Sequence, residues 1–257
     1  MHFCDVEGRR YAQFESLRHE PGLTHAFSTR PLDVSVRDGG RVGECTARRR
    51  QMLIDFGRDP EHLCCCEQVH ETRVAIVAEA GGPQWLEGFD AVVTNAPRVS
   101  LMTFSADCPL VLVYDRVRGI VGMAHASWRC AVAMLPRRLV ETMQQRFGCE
   151  PATLRVGIGP SAGPDRYEVK DDVYRAAAEL PDRSRLFRTR GGRLYFDLWE
   201  ANRSQLELAG IPRESIEIAG ICTMTRTDLF YSFRREGVGC GHFCLMAGLN
   251  VPRGDEG

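Results

Sequence analysis

Two histidines and one cysteine lie at the ends of strand-like segments, where a fold commonly presents functional groups. His70 and His125 each end a short apolar segment, and Cys108 precedes the apolar run from Leu110 to Tyr114. Two imidazoles, a thiolate and a neighbouring carboxylate, here Asp107, are the ingredients of a catalytic zinc site. Such a site needs three protein ligands and one open position for water or substrate.

The same residue types permit two other interpretations. A lone cysteine is among the most buried residue types and usually only packs. A thiol hydrolase would also combine Cys108 with His125, using the cysteine as nucleophile. Because His70, Cys108 and His125 lie far apart in the sequence, their spacing alone favours packing. The metal site and the hydrolase remain alternatives.

Arginines near these positions are candidates for binding phosphate or carboxylate groups, since a guanidinium offers paired donors. Arg49 lies in a predicted short helix, Arg48 to Phe56; Arg129 follows His125 closely, and Arg234 follows an aromatic run. Most arginines are simply solvated, so these three need a further reason to be assigned to a site.

Two other patterns are not ligand-binding motifs. The segment from Gly157 to Gly163 resembles a dinucleotide-binding loop, but its spacing is one residue too long and Pro160 interrupts it. The run from Cys64 to Cys66 would point to alternate faces of a strand, so one ion could not bind all three. We expect a tight turn and a set of packing residues, respectively.

Strand-like and helix-like segments alternate, which predicts an α/β fold with a mixed sheet flanked by helices. The predicted strands are 73–78, 89–94, 110–114, 119–124, 154–158 and 216–221. Besides the short helix, helices are predicted over 131–147 and 198–209. Pro136 fits only in the first turn of a helix, and Gly148 is a suitable C-terminal cap.

Composition limits the class of protein. The 257 residues, 44% hydrophobic and 26% charged, predict one globular domain over residues 1–257. A net charge of −1 with no basic stripe argues against a nucleic-acid partner. Neither a signal peptide nor an apolar run of about 18 residues is present, so we expect a cytoplasmic protein without membrane contact. Eleven cysteines, an odd number, predict reduced thiols.

Seven stretches together resemble one family. They are FSTR (27–30), EQVH (67–70), FDAVVT (89–94), SADCPLVLVYD (105–115), AHASWR (124–129), GIGPSAGPDRYEV (157–169) and ICTMTRTDLFYSFRRE (221–236). In this order they resemble the laccase-like (YfiH-like) proteins, once described as multicopper polyphenol oxidases and later as purine nucleoside phosphorylases.

The resemblance implies a site and an activity. It implies a zinc ion on His70, Cys108 and His125, copper being less favoured, and catalytic roles for Arg49, Cys108 and His125. The implied reactions are phosphorolysis of adenosine, inosine, guanosine and methylthioadenosine, and deamination of adenosine. Arg129 and Arg234 would bind substrate. The expected partners are a purine nucleoside and phosphate, and the expected state is a monomer.

For proton transfer, Asp107 and Glu71 are the carboxylates nearest to the implied ligands in sequence. The chain also departs from the family pattern, because Ser127, Cys130 and Glu71 occupy positions that are usually glycine. Two alternatives to the zinc enzyme therefore stay open. They are a metal-independent Cys–His hydrolase and a diverged binding protein, for example one acting in peptidoglycan fidelity. A true multicopper oxidase is disfavoured, since the sequence has no His-X-His pair.

Overall fold

The computed structural model describes residues 1–35, 42–79 and 81–250. Within these residues the strands are β1 (His2–Val6), β2 (Arg9–Gln13), β3 (Leu23–Ser28), β4 (Leu63–Glu67), β5 (Val74–Val77), β6 (Gln84–Glu87), β7 (Ala91–Thr94), β8 (Ser100–Ser105), β9 (Leu110–Asp115), β10 (Ile120–His125), β11 (Arg155–Ile158), β12 (Glu168–Val169), β13 (Phe187–Arg190), β14 (Arg193–Phe196), β15 (Ile216–Ile218) and β16 (Phe243–Leu249). The α-helices are α1 (Val42–Asp55), α2 (Trp128–Val132), α3 (Leu135–Phe147), α4 (Asp171–Ala176), α5 (Arg183–Leu186), α6 (Leu198–Leu208) and α7 (Phe233–Glu236).

The strands form three sheets. A seven-stranded sheet has the order β1-β2-β3-β16-β8-β4-β6, a six-stranded sheet has the order β15-β11-β9-β10-β7-β5, and β12-β14-β13 form a small third sheet. Both large sheets mix parallel and antiparallel pairs; β4, for example, is parallel to β6 and β8, whereas β16 is antiparallel to β3 and β8. The predicted fold class, α/β with mixed sheets flanked by helices, is therefore confirmed.

The two large sheets pack face to face, and β9 shows how. Leu110, Leu112 and Tyr114 point into the core between the sheets. Val111 and Val113 point the other way, into a core shared with α3 and α6. Because both faces of β9 are covered, its sequence is a continuous apolar run rather than an alternating one.

Helix α1 covers the outer face of the seven-stranded sheet. Met52 and Leu53 of this helix share a buried cluster with Cys65 of β4. Cys64 and Cys66 point to the opposite side, into the core between the sheets. The three cysteines thus alternate as a strand requires, so one ion could not bind all three, and all are free thiols.

The predicted helix over 131–147 is two helices in the structure. Ser127 caps α2, its hydroxyl accepting the backbone N–H of Cys130 at 3.3 Å, so helical structure begins earlier than expected. Met134 adopts a left-handed conformation (φ 65°) between α2 and α3, which places Pro136 in the first turn of α3. Gly148 ends α3 with a φ of 69°, as its sequence position predicted.

None of the described α-helices has both the length and the apolar composition of a membrane-spanning segment.

Candidate active site

Strand pairing brings two of the predicted residues together. In the antiparallel pair β9–β10, His125 at the end of β10 lies opposite Leu110 at the start of β9. Cys108, two residues before Leu110, therefore lies beside His125. The backbone N–H of Ala126 donates to the carbonyl of Pro109 at 2.8 Å and fixes this junction.

The seven-stranded sheet supplies the other side of the site. Because β4 is parallel to β8, His70, which follows β4, lies at the same edge as Ser105 at the end of β8. Strand β16 runs antiparallel to β8 with Phe243 opposite Ser105, so His242 also lies at this edge. The site is thus built where the carboxyl ends of β4, β8 and β10 meet the start of β16.

A cavity of about 520 Å³ opens at this edge, a volume typical of small-molecule sites. All three predicted zinc ligands line it, together with side chains of both sheets, α2 and α7. Its lining residues are Cys66, Glu67, Gln68, His70, Trp85, Phe104, Ser105, Ala106, Cys108, His125, Ser127, Trp128, Arg129, Tyr167, Phe233, Arg234 and His242.

One buried carboxylate orients both histidine-bearing segments. Asp90 Oδ1 lies 2.8 Å from His125 Nδ1, and Asp90 Oδ2 accepts the backbone N–H groups of Val69 (3.1 Å) and Glu71 (2.8 Å) on either side of His70. With its Nδ1 hydrogen-bonded to Asp90, His125 keeps Nε2 as its free ring nitrogen. A carboxylate behind an imidazole is the usual support of a metal-ligating histidine.

His70 and His125 approach each other closely. Their ring centroids are 5.0 Å apart in an edge-on arrangement, and His70 reaches this position with a left-handed backbone (φ 63°). That conformation is uncommon outside glycine and is found at functional sites, where the surrounding contacts maintain it. The backbone N–H groups that flank His70 are the ones that Asp90 accepts, so these hydrogen bonds stabilise the strained turn.

The surroundings of Cys108 disfavour the charged thiolate form of its side chain. Burial raises the pKa of Cys108 well above its ordinary value, and the neighbouring Asp107 raises it further. A reactive cysteine needs the opposite, a lowered pKa. One thiol and two imidazoles, of which the His125 ring is hydrogen-bonded to Asp90, are donors that suit a cation able to stabilise the thiolate.

A second donor group lies behind the cavity wall. Asp90, His125 and Cys130 are buried, and their donor atoms lie within 4.8 Å of one another, a spacing that one metal ion could span. In the structure, however, His125 Nδ1 is hydrogen-bonded to Asp90, and the Cys130 thiol accepts a hydrogen bond from Ser127 Oγ at 3.0 Å. A metal there would have to replace these hydrogen bonds.

The three arginines differ in their placement. Arg129 and Arg234 are exposed and line both the main cavity and an adjoining one of about 380 Å³. Arg49 is buried, donates to Thr46 Oγ1 at 2.8 Å, and does not line the main cavity among the described residues. Its guanidinium lies 5.6 Å from the ring centroid of Phe104, which does line the cavity.

The carboxylates are also arranged differently from the sequence-based expectation. Both oxygens of Asp107 are engaged, one by Thr223 Oγ1 at 2.6 Å and the other by the backbone N–H of Arg234 at 2.8 Å. Asp107 thus connects two loops rather than facing the cavity, and Glu71 does not line the cavity either. Among the described lining residues, Glu67 is the one carboxylate.

Sequence reasoning did not single out Asp90, Glu67 or His242. For Asp90 a usable signal existed, since it directly precedes the buried strand β7 within the stretch 89–94 that resembles the family. No comparable signal marks His242, whose place in the site depends on the register of β16.

Comparison with known proteins identifies a family. The family described as "Multi-copper polyphenol oxidoreductase laccase" matches residues 16–250. The chain belongs to this family. A protein of Bacteroides thetaiotaomicron named "Purine nucleoside phosphorylase" is 32% identical and aligns over 96% of this chain and 98% of its own length. "Adenosine deaminase RL5", from an unknown prokaryotic organism, is 30% identical over 75% of this chain and 77% of its own length.

A solved structure shares the fold. The crystal structure of YlmD from Geobacillus stearothermophilus superposes with a TM-score of 0.87 at 26% identity, covering 96% of this chain and all of that one (100%). The names of the relatives support an enzyme of purine metabolism.

Proposed function

We propose that this protein is a zinc-dependent purine nucleoside phosphorylase that also deaminates adenosine. The observation that carries the proposal is the cavity that His70, Cys108 and His125 all line, with Asp90 orienting both histidine segments from behind. Adenosine, inosine, guanosine and methylthioadenosine are the proposed substrates, with phosphate as the second substrate. The relatives' names support the reaction class, and the cytoplasm is the proposed location.

His70, Cys108 and His125 would hold the zinc. When bound, zinc would supply a Lewis acid and an acidified water molecule, both useful in attack on a purine ring. The hydrogen bond from His125 Nδ1 to Asp90 keeps the ring in the tautomer whose Nε2 is free to bind. Copper could bind to the same donor atoms, so metal analysis has to distinguish copper from zinc.

The remaining lining residues would orient the two substrates. Trp85 and Phe104 form a nearly parallel aromatic pair, with centroids 6.1 Å apart, against which a purine could pack. Arg129 and Arg234 lie between the two cavities and would hold phosphate near the ribose. A phosphate oxygen then attacks C1′, the bond from C1′ to the base breaks, and the base leaves with its electron pair. Glu67, the carboxylate among the described lining residues, would protonate it.

The alternative of a metal-independent Cys–His hydrolase is less well supported. A nucleophilic Cys108 would need to be a thiolate, whereas burial raises its pKa. A pure binding protein would also use the cavity, and only turnover separates it from an enzyme.

The decisive experiment combines metal analysis with product analysis. Purified protein should contain about one zinc per chain. Incubation with inosine should release hypoxanthine only when phosphate is present, and adenosine should give both adenine and inosine. Cys108→Ala should lose metal and turnover together, while Cys149→Ala, a buried cysteine far from the cavity, should lose neither.

Other outcomes would reject the proposal. Full activity after complete removal of zinc would favour the thiol hydrolase, especially if alkylation then abolished it. Nucleoside binding without any product would favour the binding protein.

A further inference from the structure

His242 lines the same cavity as the three proposed zinc ligands, but it is held by a separate set of contacts. Its backbone N–H donates to Asp33 Oδ1 at 3.0 Å, and its ring nitrogen Nδ1 lies 3.0 Å from Ser35 Oγ. Ser35 is buried, and Asp33 Oδ1 also accepts the backbone N–H of Ser35 at 3.0 Å. These contacts fix both the position and the orientation of the imidazole.

The Ser35 hydroxyl determines which nitrogen of His242 carries the proton. Ser35 Oγ lies 2.5 Å from Asp33 Oδ1, and because a carboxylate only accepts, the hydroxyl proton must point to Asp33. A lone pair of the same oxygen then accepts from His242, so Nδ1 is the protonated nitrogen. In the neutral ring Nε2 is left as an acceptor. No group among the described residues forms a hydrogen bond with Nε2.

We propose that Nε2 of His242 accepts a hydrogen bond from an N–H group on the six-membered ring of the substrate's heterocycle, which makes His242 a specificity-determining residue. The inference rests on the proposed nucleoside activity and adds a recognition contact to it. A ribose hydroxyl can rotate to donate or accept, so it would pair with either tautomer of the imidazole. A ring N–H or amino group can only donate, so a fixed acceptor selects for it.

Two nucleosides test this contact. Adenosine carries an amino group on its six-membered ring, whereas purine riboside carries no N–H on that ring. With purine riboside, Nε2 of His242 would be left without a hydrogen-bond partner. The kcat/KM of the wild-type protein for phosphorolysis should therefore be roughly tenfold or more higher for adenosine than for purine riboside. The ratio of adenosine to 2′-deoxyadenosine reports on the ribose instead.

Substitution of His242 should change only the ratio of kcat/KM for adenosine to kcat/KM for purine riboside. In His242→Asn the shorter amide can still donate to Ser35 but withdraws the acceptor from the cavity, so the preference for adenosine over purine riboside should fall to about one. The ratio of adenosine to 2′-deoxyadenosine should stay unchanged. His62→Asn is the matched control, because His62 is also half-buried but does not line the cavity.

The tautomer itself can be observed without any turnover. Nitrogen-15 NMR distinguishes imidazoles protonated at Nδ1 from those protonated at Nε2, and the spectrum of His242→Asn assigns the signal. Wild-type His242 should be protonated at Nδ1. Ser35→Ala removes the hydroxyl that accepts from Nδ1, so a population protonated at Nε2 should appear and the preference for adenosine should weaken.

The outcomes separate the inference from the proposed function. If wild-type protein turns over nucleosides but His242→Asn leaves the adenosine preference intact, the inference is wrong and the function stands. A change confined to the 2′-deoxyadenosine ratio, or an Nε2-protonated ring in wild-type protein, also overturns it. If wild-type protein neither binds nor converts any nucleoside, the function and the inference fail together.

Discussion

Asp90 connects the two histidine-bearing segments of the site through the two oxygens of one carboxylate. Burial alone would raise its pKa, but the hydrogen bonds with His125 and with the backbone of Glu71 and Val69 outweigh this effect and hold the pKa of Asp90 below its usual value. The ionised form is thus the one that the fold stabilises. As an acceptor on both oxygens, it cannot be replaced by an amide without loss of a hydrogen bond.

Asp90→Asn should therefore weaken zinc binding about 10- to 100-fold, because an outer carboxylate that orients a ligand contributes on that scale. Titration with a competing chelator would measure it. Asp115→Asn is the matched control, since Asp115 is a buried carboxylate whose Oδ1 accepts two backbone N–H groups, at 2.9 and 3.0 Å, far from the cavity. Equal zinc affinity in wild type and Asp90→Asn would refute the orienting role.

Arg129 is proposed to bind phosphate rather than the nucleoside. Loss of one charge-assisted hydrogen bond should raise the KM for phosphate in Arg129→Gln roughly tenfold or more, with a smaller change in the KM for inosine. Arg138→Gln, on the exposed side of α3, is the control for a lost surface charge. A larger effect on inosine than on phosphate would reverse the assignment.

Strand β11 passes so close to the N-terminal segment that its glycine is required. A Cβ at Gly157 would lie 2.4 Å from a ring carbon of Phe14, and that ring packs edge-on against Phe27 at a centroid distance of 5.2 Å. The ring is fully buried in this core. The glycine in a motif-like sequence therefore has a packing role rather than a nucleotide-binding one.

Gly157→Ala should lower the free energy of unfolding by about 1–3 kcal/mol, the usual cost of overpacking. Urea denaturation would measure it. Gly43→Ala in α1 is the control, because nothing lies within 4 Å of a Cβ there, so this change should be neutral or slightly stabilising. If Gly157→Ala were as stable as wild type, the close approach of the ring would not limit this position.

An element could be predicted when its own sequence pattern specifies it, and could not when it depends on local contacts. Strand β9 could be predicted because a strand covered on both faces has a continuous apolar sequence. The division between α2 and α3 could not be predicted, since it depends on the local cap at Ser127 and the turn at Met134. The three candidate ligands show the same limit. Their place in the wall of one cavity arises from strand pairing across two sheets, which their spacing in sequence does not encode, so only the family resemblance pointed to it.

Acid should destabilise the whole molecule through His25. This side chain is buried in the core, where its Nε2 accepts the backbone N–H of Phe14 at 3.0 Å. Burial lowers the pKa of His25 from 6.5 to about 4, and Glu217 offsets this only in part. Protonation is therefore easier in the unfolded chain than in the folded protein.

The direction of the change in stability with pH follows from the linkage between protonation of His25 and unfolding. Between pH 6.5 and about 4 the unfolded state binds the extra proton, so stability should fall as the pH drops through this window and should level off below it, with a total loss of about 3 kcal/mol from this group. Urea midpoints measured across the window would show it. His25→Gln, which retains an acceptor for Phe14, should flatten that part of the profile, and an unchanged slope would mean that other groups cause it.

The position of β16 has a consequence for synthesis. This strand, Phe243–Leu249, lies in the interior of the seven-stranded sheet between β3 and β8, and it directly follows His242 in the cavity wall. A ribosome makes β3 and β8 much earlier, so both would wait with open edges and an uncovered apolar face until residue 249 had left the exit tunnel. The nascent chain should therefore depend on chaperones until that point, and the site should form only after β16 has emerged.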